Sequence, residues 1–250
     1  MQSFLTLTRR DLAGYFLSLS GYVIIAATTF LVGLSFVVLL DKLGNDASPM
    51  PVTEMFYRTQ FFWLIVILAT PVITMRLFAL ERFSGTFETL MTAPVRDVNV
   101  VLAKFSAALI FYLVMWLPML ACLFVVQYYA RQSGALEPGA LGSLYLGIGL
   151  IGALFLSLGC FASALTRSQM VAAMVTLLLG MSLFALGFLA DRVEPAASWQ
   201  SQVLSRLALF DQMHDFARGV VDTRAVVLYL SLTLFFLFLT LRAVESRRWR

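Results

Sequence analysis

Along this chain, six apolar stretches alternate with polar-marked connections. They run over about 21–40, 59–80, 105–129, 140–165, 170–190 and 225–241. A helix rises 1.5 Å per residue, so about 20 residues cross a hydrocarbon core of about 30 Å. The first five reach that length, and the last stands at the short limit. Pro71 predicts a kink in the second span, and Pro118 stands in the middle of the third. In the fourth, Gly149, Ala153 and Ser157 recur every fourth position, a small-residue stripe that permits close helix contact in lipid. Gly180 and Gly187 share one face of the fifth.

The connections carry their own patterns. Residues 4–19 place Leu5, Leu12, Tyr15, Phe16 and Leu19 near helical spacing, interrupted by Arg9, Arg10 and Asp11, as in an interfacial helix leading into a span. Thr8-Arg9-Arg10-Asp11-Leu12 has the outline of a twin-arginine signal, but the apolar run after it extends to Leu40 and more spans follow, so a retained anchor is expected. Residues 41–58, with two prolines, read as a loop. Residues 81–94, ERFSGTFETLMTAP, predict a short amphipathic helix over about 85–93. Ser84, Gly85 and Thr86 serve as its start signals, Glu88 suits the first turn, and Pro94 stops it. Phe87, Leu90 and Met91 form its apolar face, about two turns long, which needs something to pack against. A solvated loop is the plain alternative for this stretch. Residues 191–224 predict amphipathic helices over about 196–218, with Trp199, Val203, Leu207, Phe210 and Ala217 at helical spacing and an end at Gly219. Asp222 is placed to cap the last span.

Composition narrows the class. Hydrophobic residues make up 60% of the chain and charged residues 13%, about half the charge of a soluble domain, and mean hydropathy is +0.88. The fold class expected is all-α: one polytopic membrane domain over 1–250 with six transmembrane helices. Interleaved basic and aromatic patches are absent, so the net charge of +4 is no nucleic-acid signal. It bears instead on topology. Eleven of the Lys and Arg residues fall on the side holding both termini: Arg9, Arg10, Arg76, Arg82, Arg96, Lys104, Arg167, Arg242, Arg247, Arg248 and Arg250. Seven fall on the other, four of them in the long final loop, where the bias counts less. Both ends, and the 85–93 helix with them, are therefore expected in the cytoplasm.

Little chemistry is on offer. No Asp, Glu, Lys, Arg or His stands near the centre of a span, which disfavours an ion-coupled pump. Ala103-Lys104-Phe105 is not a phosphate-binding loop, so ATP hydrolysis by that route is excluded. Cys122 and Cys160 lie inside apolar runs and suggest neither a disulfide nor a metal site. His214, the single histidine, stands beside Asp211 and Asp215 and reads as a surface residue. A catalytic serine would lack a second histidine to work with. No catalytic, cofactor or metal site is expected.

Two stretches resemble a known family. Met75-Arg76-Leu77-Phe78-Ala79-Leu80-Glu81-Arg82, then Gly85-Thr86-Phe87-Glu88-Thr89-Leu90 and Ala93-Pro94-Val95, are similar to the central motif of type-2 ABC exporter permeases. The GldF-like branch, named for a gliding-motility transporter, looks closest. Phe216-Ala217-Arg218-Gly219-Val220-Val221-Asp222, Leu239-Thr240-Leu241-Arg242 and Glu245-Ser246-Arg247-Arg248-Trp249 resemble the same branch. Ala103 departs from it, standing where Gly is expected before the Lys. The resemblance implies a non-catalytic permease subunit in a bacterial inner membrane. Its partners would be a second permease copy or related subunit, two cytoplasmic ATPase subunits that bind the ATP, membrane lipid and a periplasmic-domain auxiliary protein. It further implies that Glu81, Arg82, Gly85, Thr86, Phe87, Glu88, Leu90, Met91 and Pro94 form the coupling helix and its flanks, and that Arg9 and Arg10 belong to an interfacial elbow helix. The competing readings are a membrane scaffold that anchors an ATPase to an outer machine without moving substrate, and a stand-alone facilitator, which would lack a charged pore ring.

Overall fold

The computed structural model describes residues 2–45, 52–57, 59–85, 96–130, 138–192 and 209–248. Among the described residues every regular element is a helix. In chain order they are α1 (Gln2–Phe16), α2 (Leu19–Asn45), α3 (Val52–Tyr57), α4 (Gln60–Thr74), α5 (Ala79–Phe83), α6 (Asp97–Met115), α7 (Leu117–Ala130), α8 (Pro138–Leu165), α9 (Gln169–Arg192), α10 (Leu209–Ala217) and α11 (Thr223–Arg248).

Six segments are long and apolar enough to cross a membrane: Leu19–Asp41, Phe61–Phe83, Asp97–Val125, Gly139–Leu165, Gln169–Gly187 and Thr223–Ser246. The chain is thus an all-α polytopic membrane protein. The third span begins at Asp97, earlier than the apolar run suggests, because Lys104, which marked the boundary, is buried inside the helix.

The fourth span is the centre of the bundle. It is 78% buried, against 22% for the first and fifth and 28% for the sixth. α8 packs on α11, α9, α4, α10 and α6, and its glycines allow the closest approaches. A Cβ on Gly152 would lie 2.1 Å from the Tyr112 ring of α6, and one on Gly159 2.1 Å from Thr74 of α4. One on Gly147 would lie 2.9 Å from Phe216. The stripe expected at Gly149, Ala153 and Ser157 is less tightly used, since a Cβ on Gly149 would make only an ordinary 3.5 Å contact with Leu113. Large apolar residues such as Phe30, Leu178 and Leu234 point outward. A lipid-facing helix places them there at no cost, lipid tails being as apolar as the residues.

Two spans are broken. α4 carries Pro71 in its last turn and ends at Thr74, with the Met75 N–H donating to the Pro71 carbonyl. The chain resumes as α5, where the Ser163 hydroxyl of α8 accepts both the Phe78 and Ala79 N–H groups at 3.1 Å. The third span breaks at Trp116, two residues before Pro118, whose ring excludes the preceding turn. The Leu113 carbonyl at that break accepts Tyr145 Oη of α8 at 2.6 Å. Backbone groups freed inside lipid need such partners, and α8 supplies them in both cases.

Candidate functional site

The described part of the expected coupling segment is its entrance. Glu81 and Arg82 lie in α5, and Ser84 and Gly85 follow it. The Ser84 N–H donates to the Leu80 carbonyl at 3.0 Å, and Gly85 sits at φ +74°, a left-handed turn that glycine adopts freely. Ser84 and Gly85 therefore end a helix here, whereas the sequence pattern reads them as starting one. Thr86, Phe87, Glu88, Leu90, Met91 and Pro94 lie outside the described residues.

The entrance is held by three elements. Arg82 Nη1 donates to the Ala164 carbonyl near the end of α8, a helix terminus that favours a cation. Ser163 holds the first turn of α5, as above. Glu81 Oε1 lies 2.8 Å from Lys104 Nζ and 3.3 Å from Arg10 Nη2. Lys104 is 3.5 Å from Asp11 Oδ2, and Arg10 is 2.9 Å from Asp11 Oδ1. The Lys104 ammonium also stands 5.5 Å above the Phe78 ring.

These four side chains balance two cations with two carboxylates, which makes burial of the Lys104 ammonium tolerable. Lys104 is 4% exposed and lies in the second turn of α6, the helix that leaves the 86–95 segment. Glu81 lies in α5, the helix that enters it. One 2.8 Å ion pair therefore joins the two ends of that segment, and α1 is tied in through Arg10 and Asp11.

α1 is anchored further along. Tyr15 Oη donates to the Ile73 carbonyl at 2.8 Å, and its ring stacks on Phe111 at 4.9 Å. Leu12, Tyr15 and Phe16 pack against the core, while Leu5 and Leu19 are exposed. Arg9 is exposed; Arg10 belongs to the cluster. Sequence reasoning missed Asp11, Lys104 and Ser163. The signal available was Asp11 next to the apolar face of α1 and a lysine followed directly by an apolar run: each asks for a partner.

A second charged cluster forms at the opposite ends of α2 and α4. Residues 52–57, expected in a loop, form α3 and bury Glu54, which is 1% exposed. Its Oε1 lies 2.8 Å from His214 Nε2, and Arg218 Nε donates to Oε2 at 3.0 Å. Burial pushes the Glu54 pKa up, but hydrogen bonds from Arg218 and His214 outweigh it and hold it below the ordinary 4.5. The same contact raises the Arg218 pKa. His214, expected at the surface, instead faces a buried carboxylate.

Side chain to backbone bonds lock α10 in place. Thr53 donates to the Ala217 carbonyl and Ser143 to that of Phe216, both at 2.7 Å, and Tyr57 to that of Phe210 at 2.9 Å. α10 ends as the sequence suggests, with Gly219 at φ +92° and the Val220 N–H returning to the Asp215 carbonyl. Asp222 caps α11 through the Arg224 N–H. The rest of the outer amphipathic prediction, including Trp199, Val203 and Leu207, lies outside the described residues.

Residues 19–183 match the sequence profile of the family described as ABC-2 family transporter protein. That is more than half of the chain, and the chain belongs to this family. A search of curated proteins finds no match. The protein is accordingly the multi-pass permease component of an ABC transporter, a family whose members work with an ATPase partner.

Proposed function

We propose that this permease couples ATP hydrolysis by a separate cytoplasmic ATPase to export or force transmission across a bacterial inner membrane. The 85–93 helix is the element the ATPase grips. The observation that supports this most is the Glu81–Lys104 pair at 2.8 Å. It ties the entrance of the 86–95 segment to its exit, so a push on the segment reaches the second and third spans together and does not dissipate in one connection. Arg82 on Ala164 and Ser163 on α5 extend the same link to α8, the most buried span. Coupling of this kind needs a rigid body with two arrangements.

In this reading both termini are cytoplasmic, as the Lys and Arg bias favours, and the chain pairs with a second permease and two ATPase subunits. The tail's similarity to the GldF-like branch supports a periplasmic-domain auxiliary protein as a further partner.

Photo-crosslinking from Phe87 and Met91 in cells tests the proposal. Capture of a subunit identified by mass spectrometry as an ABC ATPase is expected, together with its loss on Phe87→Asp or Glu88→Arg while the permease still inserts. A working permease whose crosslinks include no ATPase would remove the basis for the reading.

A further inference from the structure

A cavity of about 240 Å³ opens beside the four-charge cluster, between α1, the start of α2 and the end of the second span. Its lining combines two chemistries: Ser18, Ser20, Arg76 and the cluster are polar, and Ile24, Val72, Leu77 and Leu80 are apolar. The turn between α1 and α2 reads Leu17-Ser18-Leu19-Ser20. Both serines line the cavity, while Leu17 and Leu19 are 80% and 83% exposed, as expected where the surroundings are lipid.

The charges along the lining do not cancel. Arg10, Asp11, Glu81 and Lys104 balance one another, and Arg76 is left over. Arg76 donates to Ser20 Oγ; among the described residues no carboxylate lies within ion-pair distance of it, and Asp11 and Glu81, which line the same cavity, pair with Arg10 and Lys104. Its Nε is buried without a hydrogen-bond partner. A half-buried guanidinium with no ion-pair partner, set in a cavity wall, suits an anion that accepts hydrogen bonds. The adjoining apolar wall calls for hydrocarbon next to that anion.

We propose that this cavity binds the phosphodiester of an anionic phospholipid from the leaflet that borders α1. Arg76 and the two serines would hold the phosphate, and the glycerol and first acyl carbons would lie along Ile24, Val72 and Leu80. A volume of about 240 Å³ takes a head group and leaves the tails in the bilayer. Arginine suits this role because its planar donors match phosphate oxygens in pairs. The bound lipid would wedge α1 against the second span next to the Glu81–Lys104 pair. The inference concerns lipid alone and stands whether or not the 85–93 helix meets an ATPase.

Gly14 supplies a clean test. It lines the cavity, and a Cβ there would meet nothing within 4 Å. Gly14→Leu therefore adds bulk at the cavity wall without a clash, changes no charge and favours the helix. Binding to the full chain in neutral detergent is followed by native mass spectrometry and by the thermal unfolding midpoint. The probes are dioctanoyl phosphatidylglycerol, dioctanoyl phosphatidylcholine and inorganic phosphate.

Phosphatidylglycerol is expected to bind and raise the midpoint, and phosphatidylcholine to bind more weakly. Arg76→Gln should weaken phosphatidylglycerol about tenfold, the loss of one charged hydrogen bond, and Gly14→Leu at least as much. Undiminished phosphatidylglycerol binding in Gly14→Leu would overturn the site. Equal binding of the two lipids would overturn its preference for net negative charge. The same midpoint shift with inorganic phosphate would overturn the assignment to lipid.

Discussion

The two charged clusters lie at opposite ends of α2 and α4 and are built on different plans. The one around Glu54 buries a single carboxylate and satisfies it with two donors from α10 and its cap. Three further side chain to backbone bonds surround it. Three of these contacts end on the backbone of α10 and two on the buried carboxylate, so the cluster clamps α10. The cluster around Lys104 instead distributes four charges over α1, α5 and α6 and borders a cavity. Both clusters share partners and include a half-exposed arginine; what differs is the number of helices joined and the cavity alongside. What the contrast teaches is that equal burial of charge can serve opposite ends. A carboxylate held by α10 and its cap fixes that helix in place, whereas charges spread over three helices are, on the proposed function, what would carry displacement among them.

The sharpest way to break this contrast is Lys104→Met. It removes the cation that Asp11 and Glu81 share, and breaking a buried ion cluster from one side costs about 3 kcal/mol. A lowered unfolding midpoint is expected, together with loss of ATPase-dependent activity. The double variant Lys104→Met/Glu81→Gln should regain stability without regaining activity. Recovery of both would make the Lys104 cluster a clamp like the Glu54 one.

Glu54→Ala is expected to have the next largest effect, a loss of about 2 kcal/mol from the removal of hydrogen bonds to a charged group. The midpoint in detergent should fall, while ATPase recruitment by the remaining folded protein should be unchanged. Failure of recruitment at a temperature where the variant is folded would erase the functional distinction between the clusters.

Acid gives the smallest effect and separates the two without mutation. The folded Glu54 pKa lies below the ordinary 4.5, so its stabilisation is complete above that value. It is lost as pH falls from there through the folded value. The acid limb of the midpoint profile below pH 4.5 should therefore be shallower in Glu54→Gln than in wild type. Identical limbs would show that the carboxylate contributes nothing to acid stability.

Much of the architecture is legible in the residues themselves. Apolar run length predicts six spans because lipid demands internal satisfaction of every backbone group over a fixed thickness. Local chemistry predicts the end of α10 at Gly219 and the cap at Asp222, since both depend only on neighbours a few residues away. The opposite held at Ser84 and Gly85. The same residue types favour helix starts and helix ends, and only the presence of α5 before them decides which.

The partners of Glu54, His214, Lys104 and Ser163 were illegible for a different reason. Hydropathy ranks each residue by its own side chain, but the burial of a charge is set by which distant group meets it. Lys104 meets Glu81 across 23 positions, and Glu54 meets Arg218 across 164.

The sequence by itself determined that this chain is helical, lies in a membrane and carries its positive charge unevenly, because these follow from transfer free energies summed over consecutive residues. Tertiary structure alone decided which glycines of α8 admit a neighbour and which charges are paired. It also decided that Arg76 is left facing a cavity. Those outcomes depend on the three-dimensional distance between segments, a quantity that no linear pattern contains.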